Sequence, residues 1–187
     1  CVPSSAQQPK KIARVGWLSV GPQSTLPERY DAFRQSLRDL GYIEGQNLVI
    51  ERRDAGGKLE RLADAVAELI RINVDVIVTT GSTGVFAAKQ ATSTVPIVMT
   101  TGDPLATGII TNLARPGGNI TGLTNIATDL AGKRLELLKE TVPKLRNVGV
   151  LLNPADPSSI RSLKETKAAA GELGIQVQSL EVRNLGD

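Results

Sequence analysis

Two aliphatic runs that each end in small polar residues constrain this chain more than any other feature: Val74-Asp-Val-Ile-Val-Thr-Thr-Gly-Ser-Thr-Gly84 and Val95-Pro-Ile-Val-Met-Thr-Thr-Gly-Asp-Pro104. Residues 74 to 78 scarcely alternate in polarity, as expected of a strand covered on both faces, and such strands belong to parallel sheets sandwiched between helices. Residues 79 to 84 then break into a turn that opens a helix. In an open parallel sheet the carboxyl ends of the strands border the crevice where ligands bind, so Thr80, Gly81, Ser82, Thr83, Gly102 and Asp103 are expected side by side. Backbone N–H groups after Gly81, with the hydroxyls of Ser82 and Thr83, suit a carboxylate or another anion. Either hydroxyl could instead serve only as the helix N-cap.

The rest of the chain repeats the same alternation. A strand over 13 to 20 leads to a helix over 28 to 40, with Tyr30, Phe33, Leu37 and Leu40 inward and Gly41 as its stop. A strand over 47 to 53, a helix over 59 to 72 with Leu62, Ala63, Val66, Leu69 and Ile70 on one face, and a helix over 83 to 91 complete a β-α-β-α-β-α-β series. Right-handed crossovers make this a three-layer sandwich. A short helix over 105 to 113 and a turn-rich bridge precede a strand at 120 to 124. A helix over 130 to 142, with Leu135, Leu138 and Val142 inward, leads into a strand over 148 to 152, a helix over 158 to 172 and a strand over 175 to 182. The expected fold is therefore α/β: residues 1–11 as a flexible tether, a Rossmann-like doubly wound parallel lobe over 12–122, and a hinge with a partial second α/β lobe over 123–187. Two strands and two helices bury too little apolar surface to be secure alone, so the second unit must lean on the first or continue further.

Composition removes several functions. There is no histidine, hence no usual general base near neutral pH and none of the commonest metal ligand. Ser19 and Ser82 lack a partner to activate them, and Lys89 sits about two turns into its helix, pointing elsewhere. The single cysteine rules out Cys-type zinc and iron–sulfur sites. Gly81-Ser-Thr-Gly-Val-Phe-Ala-Ala-Lys89 lacks the Gly-Lys-Ser/Thr core of a phosphate loop, and the first strand carries no G-x-G-x-x-G. No catalytic residue, metal or cofactor is expected. A net charge of +3 without a basic block, and only two Phe, two Tyr and one Trp, disfavour nucleic acid as a partner. No apolar run is long enough to span a membrane. Cys1 followed by a polar, Pro-containing segment matches the mature end of a bacterial lipoprotein acylated on its first residue. The alternatives are the accidental start of a fragment and the tail of an uncleaved signal peptide; export, to the periplasm or another extracytoplasmic space, is the expectation.

What remains is a cleft of hydroxyls and amides with one carboxylate, Asp103. It could pair with the ammonium of a zwitterion whose carboxylate the amides hold, or simply turn the chain before Pro104.

Arg14-Val-Gly-Trp-Leu, Phe33-Arg-Gln-Ser-Leu-Arg-Asp-Leu-Gly-Tyr42, Thr101-Gly-Asp-Pro-Leu-Ala-Thr-Gly108, Leu113-Ala-Arg-Pro-Gly-Gly-Asn-Ile-Thr-Gly122 and Lys133-Arg-Leu-Glu-Leu-Leu-Lys139 together resemble the ABC-transporter substrate-binding proteins associated with tryptophan and tyrosine uptake. The resemblance runs from about residue 12 to the end. It implies a type I periplasmic-binding-protein fold, with two lobes closing on a small molecule, an amino acid or small carboxylate, and presenting it to a membrane permease. By that analogy Ser19, Gln23 and Ser24, the turn Gly81, Ser82 and Thr83, and the segment Thr101, Gly102 and Asp103 line the first lobe. Asn153, Asp156 and Ser158 line the second. A ligand-sensing module of the same fold, coupled to a receptor or regulator, is the alternative.

Overall fold

The computed structural model describes residues 12–22, 27–125 and 127–183. Cys1, Gln23 and Ser24, and the whole of the proposed tether, lie outside the described residues.

Strand β1 (Ala13–Ser19) shows how the layers arise, because successive side chains point to opposite faces. Val15 and Trp17 face α1 (Pro27–Asp39), whose Tyr30, Phe33 and Leu37 recur at helical spacing and pack against Val15 and two residues of the neighbouring strand, Leu48 and Ile50. Gly16 and Leu18 face the other way, towards α2 (Leu62–Arg71) and α3 (Ser82–Ala91), where Val66, Leu69, Ile77, Val85 and Ile97 form the larger core. A Cβ on Gly16 would stand 3.1 Å from the Leu69 side chain, so the glycine lets α2 seat closely.

Strands β2 (Leu48–Asp54), β3 (Val76–Thr80), β4 (Ile97–Gly102) and β5 (Ile120–Asn125) join β1 in one parallel sheet of order β2-β1-β3-β4-β5. The chain starts at β1, moves out to β2, then crosses back over β1 to β3. That reversal of direction, with right-handed crossovers, puts α1 on one face and α2 and α3 on the other. β5 crowds β4 at Gly122, whose φ is +150° and where a Cβ would fall 2.0 Å from the Met99 carbonyl oxygen. Pairing continues to Gly102 opposite Asn125, three residues past the lobe boundary the sequence suggests.

The second unit is a separate parallel pair, β6 (Asn147–Leu152) and β7 (Gln176–Glu181), covered by α4 (Ala131–Thr141) and α5 (Pro157–Leu173) around Leu135, Ala170 and Ile175. Two strands cannot cover two helices. Leu138 and Val142, expected inward, are 41% and 43% exposed, and Leu151 of β6 is 73% exposed. In the first unit Leu40 is also exposed, since α1 stops at Asp39, and Ala65 rather than Ala63 takes the inward position of α2. No helix forms over 105 to 113. Gly108 takes φ +73°, which a helix cannot accommodate, so the segment runs as turns in which the Ile109 and Ile110 amides donate to the Pro104 carbonyl and both side chains are buried. Among the described residues no helix is long and apolar enough to cross a membrane.

Candidate functional site

At the end of β3 the chain turns at Gly81, which takes φ +77° and donates its N–H to the Thr100 carbonyl of β4 at 2.9 Å. Gly81 is the N-cap of α3 and offers no side chain for capping. Neither Ser82 nor Thr83 is therefore the N-cap. Ser82 becomes the first residue of the helix with its side chain turned inward, 1% exposed, and its Oγ lies 3.0 Å from the Thr101 Oγ1 of β4. The first N–H groups of α3, which no helical carbonyl can satisfy, open beside these hydroxyls.

The opposite wall is the first turn of α5. Asp156 caps it, accepting from the Ser158 N–H at 3.1 Å and the Ser159 Oγ at 3.0 Å, and Pro157 supplies a preset first residue. This fixed turn carries the Ser158 Oγ to 2.6 Å from the Ser82 Oγ, and Ser158 donates to the Gly102 carbonyl at 3.0 Å. The two sheets thus meet through side chains at the N-termini of two helices. The floor comes from the end of β5: Asn125, whose Oδ1 accepts from the Ala127 N–H at 3.1 Å, and Thr128, 3% exposed. The cleft is open on one side and holds about 260 Å³. Two positive helix ends and a set of hydroxyls face the same small space, which favours an acceptor-rich or anionic group there.

Of the residues singled out from sequence, Gly81, Ser82, Thr101, Gly102, Asp156 and Ser158 line this cleft. Four others do not. Thr83 points away, into a groove between α2 and α3. Asp103 takes φ +39° and folds onto its own turn, its Oδ1 accepting from the Ala106 N–H at 3.0 Å. Asn153 does the same for the Ala155 N–H at 2.9 Å. Ser19 accepts from the Trp17 indole N–H at 3.0 Å, at the end of β1. Asn125, Thr128, Ser159 and Ser162 line the cleft without having been anticipated. Ser158 and Ser162, four apart on one helix, share a face, and that spacing was a readable signal. Lys89 points away as expected, donating to the Gly108 and Ile109 carbonyls.

The aromatic residues sit elsewhere. Trp17 packs against Tyr30 and Phe33, with ring centroids 5.4 Å and 4.9 Å away, and the Arg52 guanidinium stacks 3.8 Å from the Tyr30 centroid. Phe86 lines the groove shared with Thr83, about 410 Å³ and apolar apart from Thr83 and Gln90. Tyr42 is exposed. The described cleft therefore offers hydroxyls, amides and the capping carboxylate, and no ring.

Comparison with known proteins places the chain among binding proteins. Residues 21–187 match a family model described as ABC transporter substrate binding protein. The chain is 28% identical over 151 residues to a tyrosine-binding protein of Clostridioides difficile, covering 80% of this chain and 43% of that protein. Among solved structures, a conserved domain protein from Vibrio cholerae superposes with TM-score 0.85 at 27% identity, covering 95% of this chain and 60% of that one. A Streptococcus pneumonia protein solved in complex with L-Trp superposes with TM-score 0.78 at 25% identity, over 92% of this chain and 58% of that one. A leucine-binding protein from Thermotoga maritima, 17% identical with TM-score 0.71, shares the fold. The chain thus spans 43% to 60% of the length of these first three relatives.

Proposed function

The chain belongs to the ABC transporter substrate-binding protein family, and from that premise we propose that its cleft holds a small carboxylate, an amino acid or a related acid, for delivery to a membrane permease outside the cytoplasm. The family is one of substrate-binding proteins, not enzymes, and the fold is that of type I periplasmic binding proteins. The observation that carries the ligand class is the convergence of the α3 and α5 N-termini, with the Ser82, Thr101 and Ser158 hydroxyls, on one cleft. A carboxylate placed there takes orphan helix N–H groups and the Ser82 hydroxyl proton at once. The names of the tyrosine-binding and L-Trp-bound relatives support an amino acid. The ring-free lining supports a broader class than aromatic amino acids alone. Movement of the second unit about the crossing between Asn125 and Ala131 would open and close the cleft.

The test is calorimetric titration and thermal shift with L-tyrosine, L-tryptophan, L-leucine and small carboxylates. Saturable stabilisation by one of them, following RT ln(1 + [L]/Kd), is the expected result. Ser82→Ala should then cost about 1–2 kcal/mol of binding, a five- to thirtyfold rise in Kd. A folded chain that none of these ligands stabilises overturns the reading.

A further inference from the structure

The hydroxyls between the two units form a chain whose shorter contact with the Gly102 carbonyl, 3.0 Å from Ser158 against 3.4 Å from Thr101, favours one direction. Each hydroxyl has one proton to give, whereas the Gly102 carbonyl can only accept. Ser158 gives its proton to Gly102, at 3.0 Å. The contact of 2.6 Å between the Ser158 and Ser82 oxygens then requires Ser82 to be the donor. Ser82 having spent its proton, Thr101 must donate to Ser82 at 3.0 Å, a shorter contact than its alternative to the Gly102 carbonyl at 3.4 Å. The order is Thr101 to Ser82 to Ser158 to the Gly102 carbonyl. Its proton polarity leaves Ser82 needing an acceptor on the cleft side, and the Ser158 oxygen fills that place.

We propose that Ser158 is a latch: its hydroxyl holds the two units together by standing at the position a ligand oxygen takes, and the ligand binds by displacing it from Ser82. This rests on the reading of the cleft as a carboxylate site. A carboxylate oxygen, which only accepts, takes over the Ser82 proton without reversing any other bond. An ammonium at the same point, which only donates, would oppose the whole chain. The latch sits on a rigid support, because the Asp156 carboxylate accepts from both the Ser158 N–H and the Ser159 hydroxyl. It also spans the units with no long side chain, so its breaking needs only a small displacement of the α5 first turn.

The experiment uses the full chain as wild type, Ser158→Ala and Ser158→Thr, with two readouts. Hydrogen exchange without ligand should show the amides of the α5 first turn and of Ser82 to Gly84 exchanging several-fold faster in Ser158→Ala, with β1 and β3 unchanged and protection restored in Ser158→Thr. Titration with L-tyrosine, L-tryptophan and L-leucine should show Ser158→Ala binding the active ligand about two- to tenfold more tightly, since a neutral hydroxyl bond no longer has to be exchanged. Unchanged exchange in Ser158→Ala overturns the latch whether or not a ligand is found. Weaker binding in Ser158→Ala makes the hydroxyl a ligand contact and overturns the displacement. If wild type and variant bind nothing while exchange accelerates as expected, the carboxylate reading falls and the contact between the units stands.

Discussion

At Asp103 the backbone decides what the side chain can do. With φ at +39° the carboxylate lies over its own turn and is engaged by the Ala106 N–H, so it does not enter the cleft beside Ser82. Asp103→Ala is expected to lower unfolding free energy by about 1–2 kcal/mol, from the lost turn bond and a positive φ that alanine tolerates poorly, while ligand affinity changes less than twofold. Chemical denaturation and titration of the one variant separate the two effects. Tyr30 gives a second expectation. Burial between α1 and the sheet, and next the Glu44 carboxylate, raise its pKa above the ordinary 10.0, against the opposing pull of Arg52. The folded state then holds its phenol proton more tightly than the unfolded chain does. Its contribution is complete below pH 10 and is lost as pH rises through the higher folded value. The melting temperature should fall above about pH 10, and less steeply in Tyr30→Phe, which has no proton to lose.

At the scale of elements, the cleft depends on how closely α3 sits on β3 and β4. Thr79 is 1% exposed with an unpartnered Oγ1, and a Cβ added to Gly84 would meet that oxygen at 2.4 Å. A buried threonine on a central strand cannot swing aside. Gly84→Ala should destabilise the chain by about 2–3 kcal/mol despite alanine's better helix propensity, and tilt the α3 N-terminus away from Thr101. Adding Thr79→Ala should recover part of the loss, a coupling that a double-mutant cycle by denaturation would measure. At the α5 end of the cleft the sequence reading begins the helix at 158, whereas Asp156 followed by Pro157 is a cap and a first helical residue. The misread stretch, 105 to 113, shows the limit of periodicity. Its apolar spacing fits a helix, yet Gly108 at φ +73° breaks it into turns.

For the whole molecule, the two units differ in how much holds them. The first sheet has helices on both faces, with cores around Leu18, Leu69 and Ile77 on one side and Val15 and Tyr30 on the other. The second has two strands and a small core of Leu135, Ala170 and Ile175. Amide exchange should therefore be slowest in β1, β3 and β4 and markedly faster in β6 and β7. Uniform protection across both sheets would contradict this ordering.

The alternation of strands and helices, the parallel sheet and the edge on which small polar residues gather are already written in the order of residues along the chain. Those follow from local periodicity, turn chemistry and the handedness of crossovers, which act within a few residues to a few tens of residues. Only the tertiary structure decided which polar residues meet. Ser82 and Ser158, 76 positions apart, come to 2.6 Å because an N-cap aspartate and a glycine turn aim two helix ends at each other. Thr83, one residue on, is rotated by the helix into a different groove. A one-residue step on a helix turns a side chain by about 100°, and no spacing rule says which of two adjacent hydroxyls will face a partner brought in from elsewhere in the chain.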